Sequence, residues 1–150
     1  MRVVLQRVKS ASVTIDTKQT VAIGPGILIF LGIEELDNQE DVHWLTQKVL
    51  QMRMFNDTDD KMNLDIRQTN GSFLVVSQFT LHASTKKGNR PSFIQAAKPT
   101  TAIPLYTFFI DHLRAKSECP VSTGVFGADM KVALVNDGPV TIIIDSKTRE

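Results

Sequence analysis

A single cysteine, three histidines and a net charge of only +1 in 150 residues close off several function classes. Cys119 has no partner for an internal disulfide, so the fold must rest on a hydrophobic core, which a chain of this length can bury. Three dispersed histidines and one cysteine lack the spacing of a metal centre, and neither a metal nor another cofactor is expected. The near-neutral charge excludes gripping a polynucleotide through a broad basic face; a short piece held in a pocket stays open, and DNA is not an expected partner. No apolar run is long enough to span a bilayer and no leader pattern precedes the first strand, so a reducing, cytoplasmic location without membrane contact is expected. The chain also lacks a Gly-rich loop followed by Lys-Ser/Thr and a Gly-x-Ser-x-Gly elbow.

What is present reads as one domain over residues 1–150. Val3–Val8 and Ala11–Ile15 are two β-type runs, Gln19–Ile23 a third, and Ile27–Leu31 is apolar without alternation, as in a strand covered on both faces. Asp37 with Glu40 reads as a capping box opening a helix through about Arg53, with Val42, Leu45, Val49 and Met52 facing the core. Trp44 and His43 lie off that stripe and pack at its edge. Asn56–Lys61 is a solvated acidic loop; Asp57, Asp59 and Asp60 lack the central Gly and terminal Glu of a calcium loop. Leu64–Ile66 suggests a short strand. Pro99 and Pro104 frame the start of a second helix, with Pro104 in its first turn and Tyr106, Phe109, Ile110 and Leu113 buried, leaving His112 at the surface. Val121–Phe126, Met130–Asn136 and Val140–Asp145 return to β-structure. The expected fold is α+β: a mostly antiparallel sheet curled into a barrel-like core, with two main helices.

The stretch Ser77–Phe93 carries the chemistry. A strand beginning at Phe73 ends in Ser77, Gln78, Phe79 and Thr80, and alternation continued through Leu81 would set Gln78, Thr80 and His82 on one face. Lys86, Lys87 and Arg90 follow, spaced by Gly88, which pairs a polar pocket with a basic, phosphate-binding loop. The plain alternative is a strand end bonding its own turn, then a solvated loop. Ser77 and Thr80 are possible nucleophiles, but no histidine–carboxylate pair accompanies them, and His82 is loosely placed as a base. An enzyme built from these parts works by positioning and by backbone amides that receive an oxyanion.

Asn136-Asp-Gly-Pro-Val-Thr141 lies between two strong strands, where Asp-Gly normally makes a two-residue hairpin. Pro139 lacks the N–H which that hairpin needs, so the Gly138-Pro139 step aims its carbonyls elsewhere. A cis bond would project both neighbouring carbonyls on one side; a tight trans turn at the sheet edge is the other possibility.

Four stretches together resemble, in order and over essentially the full length, the signatures of the D-aminoacyl-tRNA deacylase family. They are Met1-Arg-Val-Val-Leu-Gln-Arg-Val8 with Ala11-Ser-Val13, Ser77-Gln-Phe-Thr-Leu81 with Lys87-Gly-Asn-Arg-Pro-Ser-Phe93, Gly124-Val-Phe-Gly-Ala-Asp-Met130, and Asn136-Asp-Gly-Pro-Val-Thr141. His82 stands where many relatives carry an aromatic. The resemblance implies a homodimer that hydrolyses the ester between a D-amino acid and the terminal adenosine of tRNA. It implies that Gly138 and Pro139 form a cis step reaching into the partner subunit's pocket to exclude L side chains, with Arg7 holding that loop. Ser77, Gln78, Phe79 and Thr80 would line the pocket, with the amides around Phe79 and Thr80 orienting the ester. Met130 and Phe79 would pack on the adenine, and Lys86, Lys87 and Arg90 would meet phosphates. The missing base fits assistance by the tRNA's own 2′-hydroxyl, which makes Thr80 a positioning group first and a nucleophile second. A filter that excludes a side chain cannot exclude glycine, so glycyl-tRNA is an expected substrate. A binder of the acceptor end without catalysis, and a small-molecule esterase using Ser77 or Thr80, are the competing readings.

Overall fold

The two β-type runs at the start form one strand, β1 (Arg2–Ile15), in a computed structural model that describes residues 1–149. They read as two because a bulge interrupts the alternation: Val8 pairs with Asn136 but Ser10 with Val135, leaving Lys9 as the extra residue. One inserted residue moves the odd positions to the other face of the sheet. Val3 and Leu5 therefore enter one core, while Val8, Ala11, Val13 and Ile15 enter a second.

Strand β1 is paired along both edges. Residues Arg2–Val8 pair with β3 (Gly26–Gly32) and Ala11–Ile15 with β2 (Gln19–Ile23). The opposite edge carries β8 (Met130–Asp145) antiparallel along its length. The sheet is mixed and nearly closed into a barrel, since β6 (Ser72–Ser77) and β7 (Val121–Thr123) add in parallel beyond β3. Parallel neighbours need long crossovers. These are α1 (Gln39–Gln51) between β3 and β6, and α2 (Pro99–Ser117) between β6 and β7. A small hairpin, β4 (Phe55–Asn56) with β5 (Met62–Leu64), lies outside the main sheet; β5 stops short of Ile66, which starts a 3₁₀ turn capped by Asp65.

Helix α1 begins one residue later than the Asp37 capping box places it. Asn38 is the N-cap and Asp41 closes the box. Asp37 has other work: it is buried and hydrogen-bonds the buried ammonium of Met1, which also donates to Ser146 Oγ at 3.0 Å. Ser146 Oγ in turn donates to Asp41 Oδ1 at 2.7 Å, and Lys147 Nζ to Asp41 Oδ2 at 2.7 Å. Both ends of the described chain are thereby tied to the start of α1. Helix α2 takes Pro99 rather than Pro104 in its first turn; Pro104 lies inside the helix. Tyr106, Phe109, Ile110 and Leu113 are buried as the pattern requires. Tyr106 donates to Val75 O at 3.2 Å, and burial pushes its phenol up to about 12. Among the described residues no helix is long and apolar enough to cross a membrane.

Two stability outcomes follow from the network around Met1. Asp37→Ala leaves a buried ammonium without its carboxylate and lowers unfolding free energy by about 3–5 kcal/mol in urea titration. Burial raises the Asp41 carboxyl, but hydrogen bonds from Lys147, Ser146 and the Asn38 amide outweigh it and hold the group below its ordinary range. A depressed carboxyl contributes stability that is present above its unfolded value and lost as pH falls through the folded one. Asp41→Asn therefore flattens the loss of melting temperature below about pH 4.

Candidate active site at the end of strand β6

The strand carrying the polar segment ends sooner than alternation implies. Phe73–Val76 are buried and Ser77 still pairs with Leu31, and the Gln78 amide makes the last strand-like bond, to Leu31 O at 2.8 Å. Strand β3 offers no further partner, so the chain curls into a 3₁₀ turn over Phe79–His82, with Leu81 N bonding Gln78 O at 3.2 Å and Ala83 N bonding Thr80 O at 3.0 Å. Three residues per turn separate i and i+2 around the axis, so Thr80 and His82 do not share a face. His82 is buried behind the turn, its Nδ1 3.9 Å from Glu34 Oε2, and it serves no base role at Thr80.

Ser77, Gln78 and Phe79 form one wall of a cleft of about 280 Å³ whose other wall is Phe126, Met130 and Val132. Gln78 Nε2 donates to Thr80 Oγ1, which places Thr80 beside the cleft through Gln78. The amides of Phe79 and Thr80 have no backbone acceptor and no side-chain cap. The first N–H groups of a helical turn are available to an incoming oxygen. Among the described residues no ionisable side chain lines the cleft. Among the described residues no three His, Cys, Asp or Glu side chains gather as metal ligands.

Phe79 remains half exposed and meets Phe93 edge to face, 5.1 Å between ring centroids. Phe93 follows a loop closed by Ser84 and Ser92, whose backbones exchange bonds of 2.8 and 2.9 Å. Lys86, Lys87 and Arg90 are exposed on that loop. The closure sets Phe93 at the base of the loop that carries the basic residues. Met130 is held under tight limits: a Cβ on Gly124 would lie 2.5 Å from its sulfur.

Gly138 and Pro139 lie elsewhere. Their bond is cis, and the segment is no hairpin, because Asn136 pairs with Val8 and Thr141 with Gln6 on the same strand. Residues 137–140 bulge out opposite the single residue Arg7. Arg7, 8% exposed, donates through Nε to Asp137 O at 3.1 Å and through Nη1 to Met54 O at 2.8 Å and Asn56 Oδ1 at 3.0 Å. Asn136 Oδ1 accepts from Val140 N at 3.0 Å, closing the bulge from within. Strand rise puts Met130 and Asn136 about 20 Å apart along β8. A single chain therefore brings together Ser77, Gln78, Phe79, Thr80 and Met130 but not Gly138 and Pro139. Phe126 and Val132 are wall residues that sequence reasoning missed. Phe126 stands in the Gly124–Met130 stretch, and nothing local signals that this stretch faces β6.

The sequence profile of the family described as D-Tyr-tRNA(Tyr) deacylase matches residues 4–145. The chain is 58% identical to a D-aminoacyl-tRNA deacylase of Flavobacterium psychrophilum and 59% identical to one of Akkermansia muciniphila, each comparison covering 100% of both chains. Among solved structures, one titled c-Myc DNA Unwinding Element Binding Protein superposes with a TM-score of 0.90 at 39% identity, over 97% of this chain and 98% of that one.

Gly138 has φ +126°, and a Cβ there would stand 2.8 Å from Val140 Cγ2 and 3.1 Å from Arg7 Nη2. L side chains rarely adopt such a conformation. Gly138→Ala therefore costs roughly 1–3 kcal/mol in denaturant unfolding and shifts the amide resonances of residues 136–141.

Proposed function

The chain belongs to the D-Tyr-tRNA(Tyr) deacylase family and hydrolyses the ester of D-aminoacyl-tRNA, and we propose that it does so in the cleft at the end of β6, with the tRNA acceptor end bound there. The observation that carries this placement is a cleft with free amides at Phe79 and Thr80, a Gln78–Thr80 hydrogen bond and no ionisable lining residue. Such a site stabilises charge that develops on the substrate and lends no base of its own. Water adds to the ester carbonyl carbon, and the developing oxyanion receives the two amides. The bond to the ribose 3′-oxygen then breaks. The proton lost by water passes through the adjacent 2′-hydroxyl to that oxygen, which yields free D-amino acid and tRNA.

Phe79 and Met130 sandwich the terminal adenine, a use of aromatic and sulfur surfaces that needs no hydrogen-bond code. Lys86, Lys87 and Arg90 meet phosphates of the acceptor end, and Thr80 positions rather than attacks. Chirality is read by Gly138 and Pro139 of a second copy in a homodimer, held in place by Arg7. The separation of this bulge from the cleft of its own chain supports that assignment. So does β8, which pairs with β1 on one edge and leaves Val135 53% and Ile143 67% exposed. The filter removes L residues by excluding their side chains, and glycine passes. With aminoacyl-tRNA as its substrate, the protein acts in the cytoplasm in this reading. DNA is not among the proposed partners, since a net charge of +1 offers no broad basic face.

The test is release of labelled amino acid from D-tyrosyl-, L-tyrosyl- and glycyl-tRNA by the purified protein. Cleavage of the D and glycyl forms alone is expected, and a protein that spares glycyl-tRNA would contradict pure side-chain exclusion. Thr80→Ala should retain activity within roughly tenfold, whereas loss of a true nucleophile costs on the order of 10⁴ or more. Binding of all three without release would make the protein a non-catalytic binder.

A further inference from the structure

We propose that the groove between α1 and α2 is a second binding site, for a phosphoryl group, on the helix-covered side of the sheet and separate from the β6 cleft. The groove measures about 500 Å³ and is lined by His43, Gln47, Leu50 and Gln51 from α1, His112 and Lys116 from α2, and Arg67 from the 3₁₀ turn Ile66–Thr69. Apart from the apolar Leu50, every one of these side chains can donate a hydrogen bond, and among the described residues no carboxylate lines the groove. Two of the chain's three histidines meet here, His43 Nδ1 and His112 Nε2 lying 3.3 Å apart with their rings edge to face. Phe108 packs on both rings and fixes them.

The neighbouring charges point to an anion rather than a metal ion. Asp65 occupies Nε and Nη2 of Arg67 and leaves Nη1 for another acceptor. Lys116 has no ion pair or side-chain hydrogen bond among the described residues. Glu40, one turn before His43, is exposed, and Asp111, beside His112, pairs with Arg114. A cation would meet Lys116 and Arg67 as like charges; a phosphoryl dianion meets them as partners. Burial, then His43 and Lys116, hold the His112 imidazole below its ordinary range. A dianion placed between these groups offsets that repulsion, so binding takes up a proton at His112 and strengthens as pH falls. A free phosphate monoester supplies that dianion, and an RNA phosphodiester, a monoanion, offers the same acceptor oxygens with half the charge.

Histidine Cε1–H resonances of the full-length protein provide the readout, with three probes: sodium sulfate, which stays dianionic, AMP, and an oligocytidine. Saturable shifts of His43 and His112 are expected, with His82 unmoved and the His112 titration midpoint raised. Sulfate should bind roughly threefold or more tightly at about pH 5.5 than at about pH 7.5. Lys116→Ala should weaken binding about tenfold while D-tyrosyl-tRNA deacylation is unchanged. Saturation by AMP identifies free monoesters as the source, and saturation by oligocytidine without AMP identifies RNA. Shifts that never saturate, an unmoved His112 midpoint, or equal binding by Lys116→Ala would each overturn the proposal.

Discussion

The guanidinium of Arg7 is a charge taken almost wholly out of water in the middle of the longest strand pairing of the fold, and much of the structure is arranged to satisfy it. Burying such a group without partners costs several kcal/mol. Here the Asp137 carboxylate lies 3.4 Å away, and three carbonyl or amide oxygens accept from it. Those acceptors come from the β8 bulge, from Met54 between α1 and the small hairpin, and from Asn56 in β4 of that hairpin. A single side chain therefore fixes the Gly138-Pro139 step relative to the α1 side of the sheet. The β1–β8 ladder on either side holds the bulge in register, which is why an irregular loop can sit inside a sixteen-residue strand.

The same long pairing separates the β6 cleft from the Gly138-Pro139 bulge. Met130 at the start of β8 belongs to the cleft, while Pro139 further along the strand projects from the surface. The cleft itself is built almost entirely from backbone geometry. Strand β3 ends at Gly32, β6 loses its partner after Ser77, and the chain turns so that two amides face outward. Fixed dipoles of this kind need no reorganisation when charge develops. They also fit a hydrolase poor in histidine and cysteine, under the proposal that the substrate brings its own hydroxyl.

The helical face is organised by different physics. There, His43 and His112 from two helices lie 3.3 Å apart, and burial, then the neighbouring His43 and Lys116, hold the His112 imidazole below its ordinary range. The two regions draw mainly on different cores, since Val76, Met130 and Val132 belong to the group packed with Val13 and Leu28, while Leu50 packs with the helices; Phe126 of the cleft wall packs against that helix-side core and links the two.

The sequence by itself determined most of the secondary structure and the identity of the polar segment, because apolar periodicity and turn chemistry are local. Ile27–Leu31 read as a doubly covered strand, Tyr106, Phe109, Ile110 and Leu113 as a buried stripe, and Asn136–Thr141 as something other than a hairpin, each from neighbouring residues alone. Where a local reading went astray, a distant partner had decided the matter. Asp37 serves a buried ammonium rather than a helix cap, β1 is continuous because β8 spans its bulge, and the Thr80–His82 alignment fails because β3 has run out. Only the tertiary structure set Phe126 across from Gln78, joined His43 to His112, and placed Gly138 far from Met130. Those are distances between segments remote in sequence, fixed by which strand edges and core faces meet.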